Sequence, residues 1–234
     1  FFDDLTSAVV AVLLMLLAVY AGYALWDNQQ VYAAAEEVRA SLLELKPSLE
    51  GPSFAELRAI NPDVCAWVTL DDTGVDYPVV QGRDNLTYVN TDVYGKFSLA
   101  GTIFLDSRCA SDFSDAYGLL YGHHMADGTM FASISGYKQQ WYYDAHPYFY
   151  LYTNAGTYRV DLFAGLIVPG EHEVFNTSFN DADLARFISQ STFNAGRGIP
   201  TGRIVGMCTC SYEADNYRFV VLGEMTPLTE GNDQ

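Results

Sequence analysis

Positive charge is scarce in this chain. Twelve lysines and arginines stand against 29 acids, a net charge of −17 over 234 residues. Phosphate backbones select basic surfaces, so nucleic acid is excluded as a partner class. Cysteine is scarce too: Cys65, Cys109, Cys208 and Cys210 are the four, and none forms a C-x-x-C pair. That removes the usual structural zinc site. Cys208 and Cys210 do not bridge easily, because alternate residues of one strand hold their side chains about 7 Å apart. Cys65 with Cys109 stays open as a pair, as do two buried free thiols. Histidine occupies only positions 123, 124, 146 and 172. The adjacent pair lacks an acidic or third histidine ligand at metal spacing, so neither metal nor cofactor is expected. There is no internal repeat and no low-complexity tract.

Charge is also missing from residues 5–26, an Ala-, Val- and Leu-rich run. A helix needs about 20 apolar residues to cross a bilayer, and this run supplies them. Tyr20, Tyr23 and Trp26 lie toward one end, as interfacial aromatics do. A cleaved signal peptide fits less well, since the run is too long and no clean small-x-small site follows. The chain therefore divides into a truncated cytoplasmic start (residues 1–4), a transmembrane anchor (5–26), linking helices (27–60), one domain (61–228) and a tail (229–234). The bulk follows the anchor. A single-pass cell-membrane protein, N-terminus cytoplasmic and domain extracellular, is the simpler arrangement, although Asp3 and Asp4 give no positive-inside signal.

Residues 27–45 favour helix, with Val31, Ala35, Val38, Leu42 and Leu45 at helical spacing. Pro47, Gly51 and Pro52 break it. Ser53, with Glu56 three residues on, reads as a capping box for a short second helix. From Cys65 the pattern changes to strands: 66–70, 75–80, 102–106, 116–122, 149–153, 158–168, 203–209 and 217–222. Residues 130–140 are moderately helical. A helix over 181–190, capped by Asn180, is inserted before the last two strands. Eight short strands at this spacing predict a mainly β fold, a closed or nearly closed barrel. The aromatic stretch 137–152 reads as core and helix-to-sheet packing, with a ligand platform as the other possibility.

The last two strands carry the chemistry, in RIVGMCTCSYEADNYRFVVLGEM. Cys210 ends one strand and Arg218 begins the next. A hairpin brings thiol and guanidinium to one rim, where a cation favours the reactive thiolate. A small buried cysteine beside a surface arginine would give the same letters. A cysteine nucleophile needs a proton-transfer partner. In YGHHM, His123 and His124 directly follow a strand, and only one of the two can face a given cleft.

Taken in order, NPDVCAWVTL, VDYPVVQGRDNLTYV, GTIFLD, LLYGHHMADGTMF and GMCTCSYEADNYRFVVLGEM resemble a class B sortase, a membrane-anchored cysteine transpeptidase of Gram-positive bacteria. The resemblance spans residues 61–225 and implies an eight-stranded sortase-like barrel. It implies roles for Cys210 as nucleophile, His123 as proton donor and acceptor, and Arg218 as substrate or oxyanion holder. It also implies substrate contacts at Asn85, from Q-G-x-x-N, and at Thr177, ahead of the inserted helix. Thr209 and Cys208 fall in the T-L-x-T-C strand, and Cys208, on the face of Cys210, is expected in the groove. The implied partners are surface proteins with a C-terminal sorting signal, cleaved after Thr, and an amine acceptor from peptidoglycan precursor or a pilin lysine. Gly206 and Met207 depart from the pattern's Thr and Leu. Two other readings compete: an inactive binding or structural domain on the same barrel, and a tethered thiol oxidoreductase using Cys208 and Cys210. The second lacks the helix N-terminus that activates C-x-x-C thiols and leaves His123 and Arg218 idle.

Overall fold

The computed structural model describes residues 2–48, 53–211 and 213–228. The expected break at Gly51 and Pro52 and the tail 229–234 lie outside them. Helix α1, Phe2–Leu43, is a single unbroken helix that runs through both the expected anchor and the first linking helix. It is long and apolar enough to cross a membrane, and its apolar window is fully exposed. The 22 residues of the uncharged run span about 33 Å at 1.5 Å each, against about 30 Å of hydrocarbon. Beyond it, Ala35, Val38 and Leu42 turn one stripe onto the barrel. Helix α2, Ala55–Ile60, follows. Its N-cap is Phe54, with no side-chain cap bond, so the capping box expected at Ser53 does not form. The helix starts two residues later than that, because burying Phe54 and Leu57 against the barrel decides where the chain turns.

The eight strands are β1 (Val64–Thr69), β2 (Asp76–Val80), β3 (Phe104–Leu105), β4 (Tyr117–Tyr121), β5 (Tyr148–Thr153), β6 (Gly156–Pro169), β7 (Ile204–Ser211) and β8 (Tyr217–Pro227). They close in the order β1-β2-β3-β4-β7-β8-β6-β5. Only β2–β3 and β4–β7 pair in parallel; the other pairs are antiparallel. A parallel pair needs a long connection. The first is the loop 81–103. The second contains β5, β6 and the insert before β7, which carries helix α4, Asp181–Ser189. Asn180 caps α4 in a full capping box with Asp183. The aromatic stretch folds as a 3-10 helix, Ala132–Lys138, and a short helix α3, Gln140–Ala145, ahead of β5. Its Tyr137 and Phe149 are buried in the core.

Period-two alternation separates two layers. Val205 and Met207 of β7 face the barrel interior with Phe219 and Val221 of β8. Ile204 and Cys208 of β7 face outward with Val220 and Leu222, under Leu184 and Phe187 of α4. All four cysteines are free thiols. Phe187 is fully buried where α4 meets this outer face. Phe187→Ala should therefore cost about 3–5 kcal/mol, measured as a shift of the denaturant midpoint. A loss under about 1 kcal/mol would show that the α4 interface contributes little to stability.

Candidate active site

Strand register lays two rows of side chains across the outer face. The lower row runs Leu166 on β6, Val220 on β8, Cys208 on β7 and Tyr121 on β4, since each is the Cα partner of the next. One pleat further on, Val168 pairs with Arg218 and Arg218 with Cys210. His123 is the second residue beyond Tyr121, as Cys210 is the second beyond Cys208. Directly opposed residues have Cβ atoms about 4.5–5.5 Å apart. The register thus sets a thiol across from a guanidinium above a floor that is mostly apolar, with His123 just past the end of β4.

Each of the three side chains has a distinct environment. Cys210 is half-exposed. Arg218 makes one hydrogen bond, from Nη1 to the Tyr217 carbonyl at 3.0 Å, and no ion pair among the described residues. In so acidic a chain, that leaves its charge uncommitted. Nε2 of His123 lies 2.7 Å from the Val89 carbonyl oxygen. A carbonyl oxygen only accepts, so Nε2 carries a proton, and Nδ1 is the nitrogen left to gain or lose one. Val89 is pressed into place by Gly101, whose φ is +59° and where a Cβ would collide with the Val89 carbonyl. Among the described residues no hydrogen bond joins Cys210, His123 and Arg218 to one another. His124 forms an isolated bridge with Met130. His146 precedes β5, and the Tyr137 hydroxyl donates to its carbonyl at 2.8 Å. Nδ1 of His172 accepts from the Val174 amide at 3.1 Å.

The residues expected to touch substrate are not alike. Thr177 is exposed in the insert ahead of α4. Asn85 is half-buried, and its Oδ1 accepts from the Ser107 amide at 2.7 Å. Cys208 is 1% exposed, packed between β7 and α4. Burial pushes its thiol well above the ordinary value, and the nearby Arg218 offsets this only in part. Thr209 is 2% exposed, and alternation turns it to the interior. Neither one lines an open groove, contrary to expectation. Cys208 shares a face with Cys210 as expected, but one pleat further in, where the insert covers the sheet. Gly206 has a reason as well. A Cβ there would come 2.9 Å from both the Tyr117 hydroxyl oxygen and Leu119 Cδ1. Tyr117 fills the space that a threonine would need.

Sequence reading missed the groups around this row. Lys138 donates to Ser211 Oγ at 3.1 Å and pairs with Glu213 at 2.5 Å, and Ser211 Oγ also bonds Glu213. Hydrogen bonds from Lys138 and Ser211, with the Lys138 charge behind them, draw the Glu213 carboxyl down to about 2. Lys138 lies more than 70 residues from both Ser211 and Glu213 in sequence, so no local pattern announces the cluster.

Among known proteins, Staphylococcus aureus sortase B is 28% identical over 239 residues, covering 94% of this chain and 97% of its own length. Listeria monocytogenes sortase B is 30% identical over 178 residues, 73% of this chain and 72% of its own. The crystal structure of the S. aureus protein superimposes with a TM-score of 0.71 at 25% identity, over 87% of this chain and all of that one. Spy0129, a Streptococcus pyogenes class B sortase involved in pilus biogenesis, gives 0.67 at 33% identity, over 74% and 98%. No family model matches the chain. Barrel and relatives together define a sortase-type enzyme, a cysteine transpeptidase. More narrowly, the chain belongs to the class B sortases.

The His123 environment makes a spectroscopic prediction. Nitrogen-15 NMR of the neutral imidazole should report the tautomer with the proton on Nε2. A dominant Nδ1–H form would mean that the Val89 carbonyl does not hold the ring.

Proposed function

We propose that Cys210, His123 and Arg218 carry out transpeptidation of proteins bearing a C-terminal sorting signal. The observation that carries this reading is the rim row, with the Cys210 thiol directly across from an arginine that has no carboxylate partner among the described residues. The Cys210 thiolate attacks the carbonyl that follows the threonine side chain of the signal. The carbonyl π pair moves to oxygen, and Arg218 stabilises that oxyanion with fixed donors and permanent charge. Collapse breaks the C–N bond. Imidazolium His123 gives its proton to the departing amine, and a Cys210 thioester remains. The neutral imidazole then takes a proton from an incoming amine, which attacks the thioester carbonyl and releases the thiolate. The acceptor is an amine of peptidoglycan precursor or a pilin lysine. Helix α1 anchors the enzyme in the cell membrane, N-terminus inside and barrel outside. That tether holds the rim beside membrane-bound substrates and raises their effective concentration. Asn85 and Thr177 contact the bound signal from opposite sides of the groove.

Two thiols on one face make the nucleophile assignment easy to test. Near neutral pH, the buried Cys208 stays a protonated thiol because its titration lies far above that range. Iodoacetamide should therefore give a single adduct, at Cys210, by peptide mass spectrometry. Cys210→Ala should abolish cleavage of a sorting-signal peptide, whereas Cys208→Ala should retain it. The reverse pattern would reassign the nucleophile.

Arg218 acts through geometry as well as charge. Arg218→Lys keeps the charge and loses the planar fork. It should lower kcat/KM at least tenfold, toward the loss of about 2.7–4 kcal/mol seen when one oxyanion donor is removed. A near-normal rate in steady-state assays would reduce Arg218 to a point charge.

A further inference from the structure

On the transpeptidase reading, the substrate groove beside Cys210 lies between two segments from distant parts of the chain: the loop after β2 with Asn85, and the insert with Thr177. Apolar packing of Val174, Leu184 and Phe187 lays the insert on the sheet. Such contact is non-directional, so it does not define where the leading edge of the insert stops. A polar network does.

Asp106, directly after β3, has a side chain only 1% exposed. Arg108 grips its carboxylate with two bonds, Nε to Oδ1 at 2.9 Å and Nη2 to Oδ2 at 2.7 Å. The Arg108 amide donates to Oδ1 at 3.0 Å, and the Tyr121 hydroxyl donates to Oδ2 at 3.1 Å. The same Nη2 reaches across to the insert and donates to the Phe175 carbonyl at 2.8 Å. Phe175 lies two residues before Thr177. On the other side of the turn, the Ser107 amide donates to Asn85 Oδ1 at 2.7 Å. One three-residue turn thus touches both flanks of the groove, and through Tyr121 it touches the lower row on which Cys210 stands.

We propose that Arg108, gripped by Asp106, is a positioning residue that sets the width of the substrate groove by tying the insert to the turn that holds Asn85. The proposal rests on the transpeptidase reading above. Burial alone would push the Asp106 carboxyl up, but the hydrogen bonds from Arg108 outweigh it and hold the group below its usual range. Asp106 in turn raises the Arg108 guanidinium. Both shifts favour the charged forms, so the pair is held as an ion pair. Lysine does not replace it. A single ammonium lacks the planar fork that covers two carboxylate oxygens while also reaching a carbonyl.

The test compares full-length wild type, Arg108→Lys and Arg108→Met in detergent micelles. Two readouts are a sorting-signal peptide assay and amide hydrogen exchange over residues 173–180. The expected result is KM raised about tenfold or more with kcat within about threefold. Iodoacetamide labelling of Cys210 should be unchanged, and exchange over 173–180 faster, in both variants. A KM within about twofold of wild type would overturn the proposal, even with a lowered melting temperature, because a merely structural arginine would behave so. Loss confined to kcat, or unchanged exchange, would overturn it as well. If wild type turns over no sorting-signal peptide, the transpeptidase reading falls. The exchange comparison then decides by itself whether Arg108 ties down the insert.

Discussion

The register of β7 against β4 and β8 is the constraint on which the rest of the site depends. Side chains alternate along a strand, so a slip of one residue moves the whole set to the other face. Here a slip would turn Cys210 into the barrel interior and bring Thr209 out beside Arg218. Three features resist it. Met207 and Val205 fill the interior layer. Cys208 fills the outer layer beneath α4. At Gly206, where Tyr117 presses against the strand, a side chain would collide. Gly206 therefore serves the strand by absence. The loosening expected of a strand glycine is offset by the aromatic ring packed over it.

The twin thiols show how far two residues on one strand can diverge. Cys208 and Cys210 share a face, a neighbouring cation and a protein. One pleat of about 6.6 Å, two residues at 3.3 Å each, separates them. The inner one is desolvated, which disfavours its thiolate. The outer one stands at the rim, half-exposed. Letters alone do not distinguish the two, because both follow an apolar or β-branched neighbour. The difference lies in where α4 stops covering the sheet.

Much of the barrel was legible because it follows from local rules. Strand patterning marked all eight strands, though β8 runs five residues past its expected end at Leu222, and Asn180 marked α4 by the cap chemistry that it performs. Cys210, Arg218 and His123 drew attention because each was expected near a strand end, and the register places Cys210 directly across from Arg218. Long-range packing hid the rest. The box expected at Ser53 was overruled by burial of Phe54 and Leu57. Helix α3 was hidden in an aromatic run whose residues also suit strands. The burial of Cys208 and the interior facing of Thr209 depend on what packs above and below β7. The bond from Arg108 to Phe175 spans 67 residues, and no spacing in the sequence foretells it.

Scarcity of positive charge gives the last step of the argument. Among 12 cations, most of those described here are spent on carboxylates: Arg108 on Asp106, Lys138 on Glu213, Arg186 on Glu173 and Asp183. Lys138 joins segments distant in sequence, Arg186 ties helix α4 to the chain before it, and Arg108, held by Asp106 two residues away, reaches on to the Phe175 carbonyl. Arg218 has no such partner among the described residues, and its backbone is already fixed by pairing on both sides. Structure gains nothing evident from its charge. An unpaired guanidinium opposite an accessible thiol fits the need of a reaction that develops negative charge on oxygen next to sulfur. The division is physical: most cations that hold the fold are neutralised by it, and of the few without a carboxylate partner among the described residues, Arg218 is the one that stands directly across from the accessible thiol.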